Sequence, residues 1–196
     1  MRAMEERLET VQGTEQEGPS DEVEADGIIV TFDADRQRIR AAVKAALDLV
    51  IIHLQDPVNQ GRYSANQGGY FCLRSCTVSA DAPPTLVELL GEVVPAARAG
   101  KRFALSQEKA RRLAENSDHL SSWQSRDVAA ERYGGAIRAG NRILSFSGLP
   151  EDADETVCTL AAHWQGLISA ARVEEIARVS DNQTLQNLFA WHPRQP

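Results

Sequence analysis

The chain has 196 residues, 42% hydrophobic and 25% charged, with a net charge of −7. That length holds one domain with a sizeable core, or at most two small ones, and the composition is ordinary for a soluble globular protein. No apolar run approaches the roughly 20 residues that cross a bilayer, and no basic segment followed by an apolar one opens the chain, so a cytoplasmic location without a membrane partner is the expectation.

Residues 1–26 hold nine acids and two arginines, which leaves 19 of each sign in the remainder. The acidity therefore belongs to a tail. This segment has too little apolar surface to offset the entropy of ordering, so it is expected to be a disordered acidic tail, with residues 27–196 forming a single domain. Met4, Leu8 and Val11 could line a short helix induced by a protein partner. A body of zero balance argues against nucleic acid.

Residues 27–32 (GIIVTF) are β-branched and favour a strand or extended lead-in, after which Asp33 can cap a helix. Ile39, Val43, Leu47, Val50 and Leu54 recur at helical spacing, with Ala42 and Ala46 widening the stripe, and predict a helix over 34–54. Asp56-Pro57 ends it. His53 falls at the edge of the apolar face, as a core-edge histidine or a ligand contact. Residues 58–69 read as a polar loop whose Asn-Gln pairs and Tyr63 can meet a ligand. Residues 70–79 read as a strand carrying Arg74. Cys72, Cys76 and Cys158 are too few for a disulfide framework and read as small buried apolar residues, with no metal site.

Thr85 and Glu88 fit a capping box, and Leu86, Leu89, Leu90, Val93 and Val94 supply a broad apolar face, so a helix is expected from Thr85 until Pro95 ends or kinks it. A further helix is expected from Ser106 to about Leu120. Arg98 to Arg112 carries six bases against one acid. That makes it the best candidate for an anion or nucleic-acid contact, weighed against a solvated face, which is favoured. Residues 117–126 read as irregular.

Residues 136–146 suit a hairpin turning at Ala139-Gly140-Asn141. Ser147-Gly148-Leu149-Pro150 leads into a helix with an inward stripe of Val157, Leu160, Ala161, Trp164 and Ile168. Glu151, Asp152, Asp154 and Glu155 crowd its first turn, favoured by the helix dipole and repellent to phosphate. Ser169 caps the next helix, with Ile168 and Val173 as its staple, and Ser180 or Asp181 caps a last one. The fold class expected is α/β of the α+β kind: a small, mostly antiparallel sheet flanked by helices, with a helical C-terminus.

No Walker loop, GxGxxG, HExxH, paired CxxC or GxSxG is present. Asp118-His119, and Asp56 near His53, could support general-base work only if the fold brought the side chains together. Catalytic residues are therefore unassigned, and whether the chain is an enzyme stays open.

Lys109-Ala110, Gly134-Gly135-Ala136-Ile137, the strand ending in Ser147-Gly148, and Asp154 at the head of an Ala-rich helix together resemble the GlcG/HbpS-type haem-binding family. The resemblance implies a sandwich of the PAS/profilin kind, often a homo-oligomer, that binds haem or another small molecule. Three functional readings are open: a small-molecule-binding or accessory module, an adaptor that takes a protein partner through residues 1–26, and an enzyme assembled from scattered loops. The residues expected at a ligand are Lys109, Tyr133, Ser147, Gly148, Asp154, His53, Tyr63 and Arg74.

Overall fold

The structure, a computed structural model, describes residues 25–56, 58–59 and 67–191. The chain divides between Ala34 and Asp35. Before that point the described residues are helical; the sheet and the buried core belong to the unit beginning at Asp35. Residues 1–24 of the expected acidic tail lie outside the described residues, as does most of the polar loop with Tyr63, while Ala25 and Asp26 begin a helix.

The elements run α1 (Ala25–Gln55), β1 (Gln67–Ser75), β2 (Leu86–Glu92), α2 (Ala99–Glu115), β3 (Ala136–Ala139), β4 (Arg142–Ser147), α3 (Glu151–Trp164), α4 (Ala170–Ser180) and α5 (Gln183–Trp191). The four strands form one antiparallel sheet in the order β2-β1-β4-β3. The α+β class, the antiparallel sheet and the helical C-terminus are those expected.

Strand alternation separates two apolar layers. Phe71, Leu73, Leu90, Ile137, Leu144 and Phe146 point to a large cluster with α1, α3, α4 and α5. Cys72, Ala136 and Ile143 point the other way, onto Ala110 and Leu113 of α2. The sheet is thus covered on both faces, and β4 is buried from Ile143 to Ser147.

Several local signals hold. The hairpin turns at Gly140 with φ +60. Ser169 caps α4, accepting from Arg172 N–H, and Ile168 and Val173 join the core as its staple. Cys72 and Cys158 are buried and Cys76 is half-buried, all as free thiols.

Other expectations are corrected. Residues 27–32 belong to α1 and are not a strand, because a formed helix adds one bond per residue at little further cost. Residues 86–92 are β2 and not a helix. They pair with β1 from Gln67↔Glu92 to Leu73↔Leu86, and Glu88 meets Arg40 of α1 at 2.7 Å. Helical periodicity in Leu86, Leu89 and Leu90 is overruled by ladder bonds that β1 would otherwise lack on that edge.

The first strand ends at Ser75, four residues early, because the Arg74 guanidinium gathers the carbonyls of Ser79 and Ala82 into a turn. α2 begins at Ala99, not Ser106. It enters through a 3-10 turn at Ala96–Arg98 and has no side-chain cap to announce it. The helix stops at Glu115, where Arg138 of β3 donates to the carbonyls of Leu113 and Asn116. α5 is capped by Asn182, whose side chain accepts from Leu185 N–H, not by Ser180 or Asp181. Asp181 takes φ +49 at the end of α4, and Ser180 is drawn instead to Glu155.

Candidate functional site

Arg98 at the end of the 3-10 turn, and Lys101, Arg102, Leu105 and Lys109 of α2, follow at spacings of three and four residues, which places them on one helical face. That face looks across a cleft of about 590 Å³ whose far wall is Leu149, Pro150, Glu151 and Asp154 at the head of α3, with Tyr133 at the side. The mouth is cationic, Leu105, Leu149, Pro150 and Tyr133 are apolar wall, and Lys109 and Asp154 form the floor.

The floor is a buried ion pair. Lys109 Nζ donates to Asp154 Oδ2 at 2.8 Å and to the Phe146 carbonyl at 2.9 Å, and both side chains are 1% exposed. Asp154 Oδ1 also accepts from Gly148 N–H at 3.1 Å and Leu149 N–H at 2.9 Å. Burial pushes the Asp154 carboxyl above its usual range, against the pull of Lys109 and the Leu149 N–H. Gly135, at φ +114, makes room: a Cβ there would lie 2.7 Å from both Lys109 Nζ and Asp154 Cβ.

The acids at the head of α3 are not an anionic patch; each is engaged. Glu151 pairs with Arg126 at 2.8 Å and accepts from Gly134 N–H. Burial pushes its carboxyl up, but Arg126 and the Gly134 N–H bring it below the usual range. Asp152 accepts from the Thr184 hydroxyl at 2.9 Å. Glu155 is fully buried and meets Ser121, Ser180 and Asn182; burial raises its carboxyl, the three partners oppose this, and Asp152 adds to it.

Arg112, 4% exposed, ties the cleft wall to α2. Its guanidinium donates to the carbonyls of Ser122 and Tyr133 and to the Ser125 hydroxyl at 2.6–2.8 Å. The solvated-face reading of Arg98 to Arg112 is therefore corrected at Lys109 and Arg112, which face inward because α2 lies on the sheet.

Of the residues expected at a ligand, Lys109, Tyr133 and Asp154 come together in this cleft. Ser147 and Gly148 sit behind it. Gly148 packs on Gly68 and Gly69, where a Cβ would meet the Gly68 carbonyl at 2.1 Å. The Ser147 hydroxyl is buried with no hydrogen-bond partner among the described residues. His53 lines a separate apolar cleft with Leu49, Ile52 and Leu188. Arg74 is buried in its turn-holding role. His53 and Arg74 thus do not share a cleft, and Tyr63 lies outside the described residues.

Sequence reasoning misses Leu105, Leu149, Pro150 and Glu151 as site residues, and holds Arg98, Lys101 and Arg102 only as part of a basic stretch for which a solvated face is favoured. The signal for those on α2 is the helical spacing with Lys109, hidden as long as the helix is expected to begin only at Ser106. No helix among the described residues is long and apolar enough to cross a membrane.

Comparison with protein families, with curated proteins and with solved structures finds no match to this chain.

Proposed function

We propose that this protein is a small-molecule-binding module whose ligand sits between α2 and the head of α3. The observation that carries this reading is the cleft itself: a cavity of about 590 Å³ with apolar walls, a cationic mouth and a buried ion pair beneath it. Ligand sites are typically concave, mostly apolar and furnished with a few placed polar groups. Rigid supports on both sides favour binding over a passive surface dent. α2 is fixed through Arg112, and the head of α3 through Asp154.

The resemblance of the sequence to haem-binding proteins makes haem the first ligand to try, and the donor set is compatible with it. Arg98 and Arg102 would take propionates. Tyr133 would offer an oxygen of the kind some haem irons accept, whereas Glu151 and Asp154 are engaged in ion pairs.

The test is titration of the full chain with hemin by Soret absorbance, alongside a fragment screen by thermal shift, repeated on Leu105→Trp, which fills the cleft. Saturable binding by the native chain that weakens at least about tenfold in Leu105→Trp, with an unchanged melt in the absence of ligand, supports the reading. Identical responses from the two proteins to hemin and to every fragment sink it.

A further inference from the structure

The charge of the cleft narrows the ligand class. Resting on the proposal that the cleft binds a small molecule, we infer that the ligand is an organic dianion: an apolar, ring-sized body bearing carboxylate or phosphate groups that Arg98 and Arg102 hold.

The lining contains four bases, Arg98, Lys101, Arg102 and Lys109, and two acids, Glu151 and Asp154, a balance of +2. The partners just outside do not change the sum. Lys101 pairs with Glu131 at 2.5 Å and Glu151 with Arg126 at 2.8 Å, one acid and one base. Lys109 is consumed by Asp154. Among the described residues no carboxylate pairs with Arg98 or Arg102. These two guanidiniums are therefore a local excess of positive charge, in a body whose residues from 27 onward sum to zero.

Two further features point the same way. α2 has no acid in its first turn and no side-chain cap, so the positive end of its dipole adds to the guanidiniums rather than being neutralised. α3 is the contrast, with Glu151, Asp152 and Asp154 in its first turn. The floor itself is a paired cation and anion, Lys109 and Asp154, so an anion seated above it meets no net negative charge there.

The arrangement is economical for an anion. Arg98 is exposed and Arg102 half-exposed, so both keep their hydration while the cleft is empty and carry no burial penalty. A carboxylate or phosphate that replaces this water gains charge-assisted, two-pronged hydrogen bonds. Leu105, Leu149, Pro150 and the ring of Tyr133 then cover an apolar body, with the Tyr133 hydroxyl as the polar atom among them. A cationic ligand would meet unbalanced like charge, and a neutral one would leave both guanidiniums unused.

The experiment compares four probes on one ring system by calorimetry: naphthalene-2,3-dicarboxylate, 2-naphthyl phosphate, 2-naphthoate and the neutral 2-naphthalenemethanol. Both dianions are expected to bind at least about tenfold more tightly than the alcohol, with 2-naphthoate between. The dicarboxylate and the phosphate ester, compared directly, identify which anion the mouth prefers. In Arg98→Ala/Arg102→Ala the advantage of the dianions over the alcohol falls to about threefold or less. Equal affinity of the alcohol and the dianions, or an advantage that survives the double variant, overturns the inference. So does failure of all four probes to bind. In each of these cases the hemin titration with Leu105→Trp still judges the cleft independently, so loss of the dianion and loss of the site are told apart.

Discussion

Lys109 Nζ and Asp154 Oδ2 meet 2.8 Å apart in the space that a side chain on Gly135 would fill. One helix supplies the cation, another the anion, and the lead into β3 supplies the opening. The pair is set within the fold and under the cleft at once, so its stability and its ligand chemistry are linked.

Removing one partner strands a charge in the interior. Lys109→Met is expected to cost about 3–5 kcal/mol of unfolding free energy, because Asp154 is left without its cation. Adding Asp154→Asn removes the stranded charge and keeps an acceptor for Gly148 and Leu149 N–H. The double variant should recover at least half of the loss. Urea unfolding of both variants measures this; a double variant no more stable than Lys109→Met would show that the two groups are not coupled.

Gly135→Ala places a Cβ against both members of the pair at a backbone angle that favours glycine. A loss of about 1–3 kcal/mol is expected from the backbone alone, with more from displacing the pair. Gly140 is the control. It has φ +60 but open space around it, so Gly140→Ala should cost only about 1–2 kcal/mol. Thermal melts of the two variants rank them, and an equal loss would refute the steric account.

Glu155 sets a pH dependence. Ser180 Oγ lies 2.5 Å from Glu155 Oε2 and 2.9 Å from the Ile176 carbonyl. Burial of the carboxyl outweighs Ser180, which donates to Glu155 and so favours the carboxylate. Burial raises this carboxyl, so the folded chain holds the proton longer than the unfolded one. The contribution is complete below the ordinary glutamate range and is lost as pH rises through the folded value. Asp154, also raised, acts with the same sign. Glu151, lowered, acts oppositely and only as pH falls below the usual carboxylate range. Glu155→Gln mimics the neutral acid, so unfolding free energy measured from pH 5 to 9 should fall less steeply than in the native chain. An identical slope would place the proton elsewhere.

Arg112→Lys keeps the charge and discards the fork. The hydrogen bonds to Ser122, Ser125 and Tyr133 cannot all be made by an ammonium, and a loss of about 2–3 kcal/mol is expected. Hydrogen exchange should accelerate from residue 121 to residue 134, and hemin affinity should fall with Tyr133 less well held. Unchanged exchange there would show that Arg112 does not anchor the wall.

Short-range chemistry is what makes parts of this fold legible in the sequence. Gly140 turns the hairpin, Pro150 opens α3, Ser169 caps α4, and the stripe from Ile39 to Leu54 is helical, each because the deciding atoms lie within a few residues. Lys109, Tyr133 and Asp154, expected at a ligand, line one cleft. Arg98 and Arg102 belong to the basic stretch singled out in the sequence, but the face they share with Lys109 is hidden, since α2 has no cap to mark its start.

The sequence by itself determined the hairpin, the central helices and the neutral balance of the body, because turns, caps and periodicity act between chain neighbours. Only the tertiary structure decided that residues 86–92 are a strand, since their bonds go to β1 and their Glu88 to Arg40. It alone also decided that the acids heading α3 are each engaged. Whether a carboxylate is a surface charge or half of a buried pair depends on a partner 45 residues away, and local sequence holds no record of that distance.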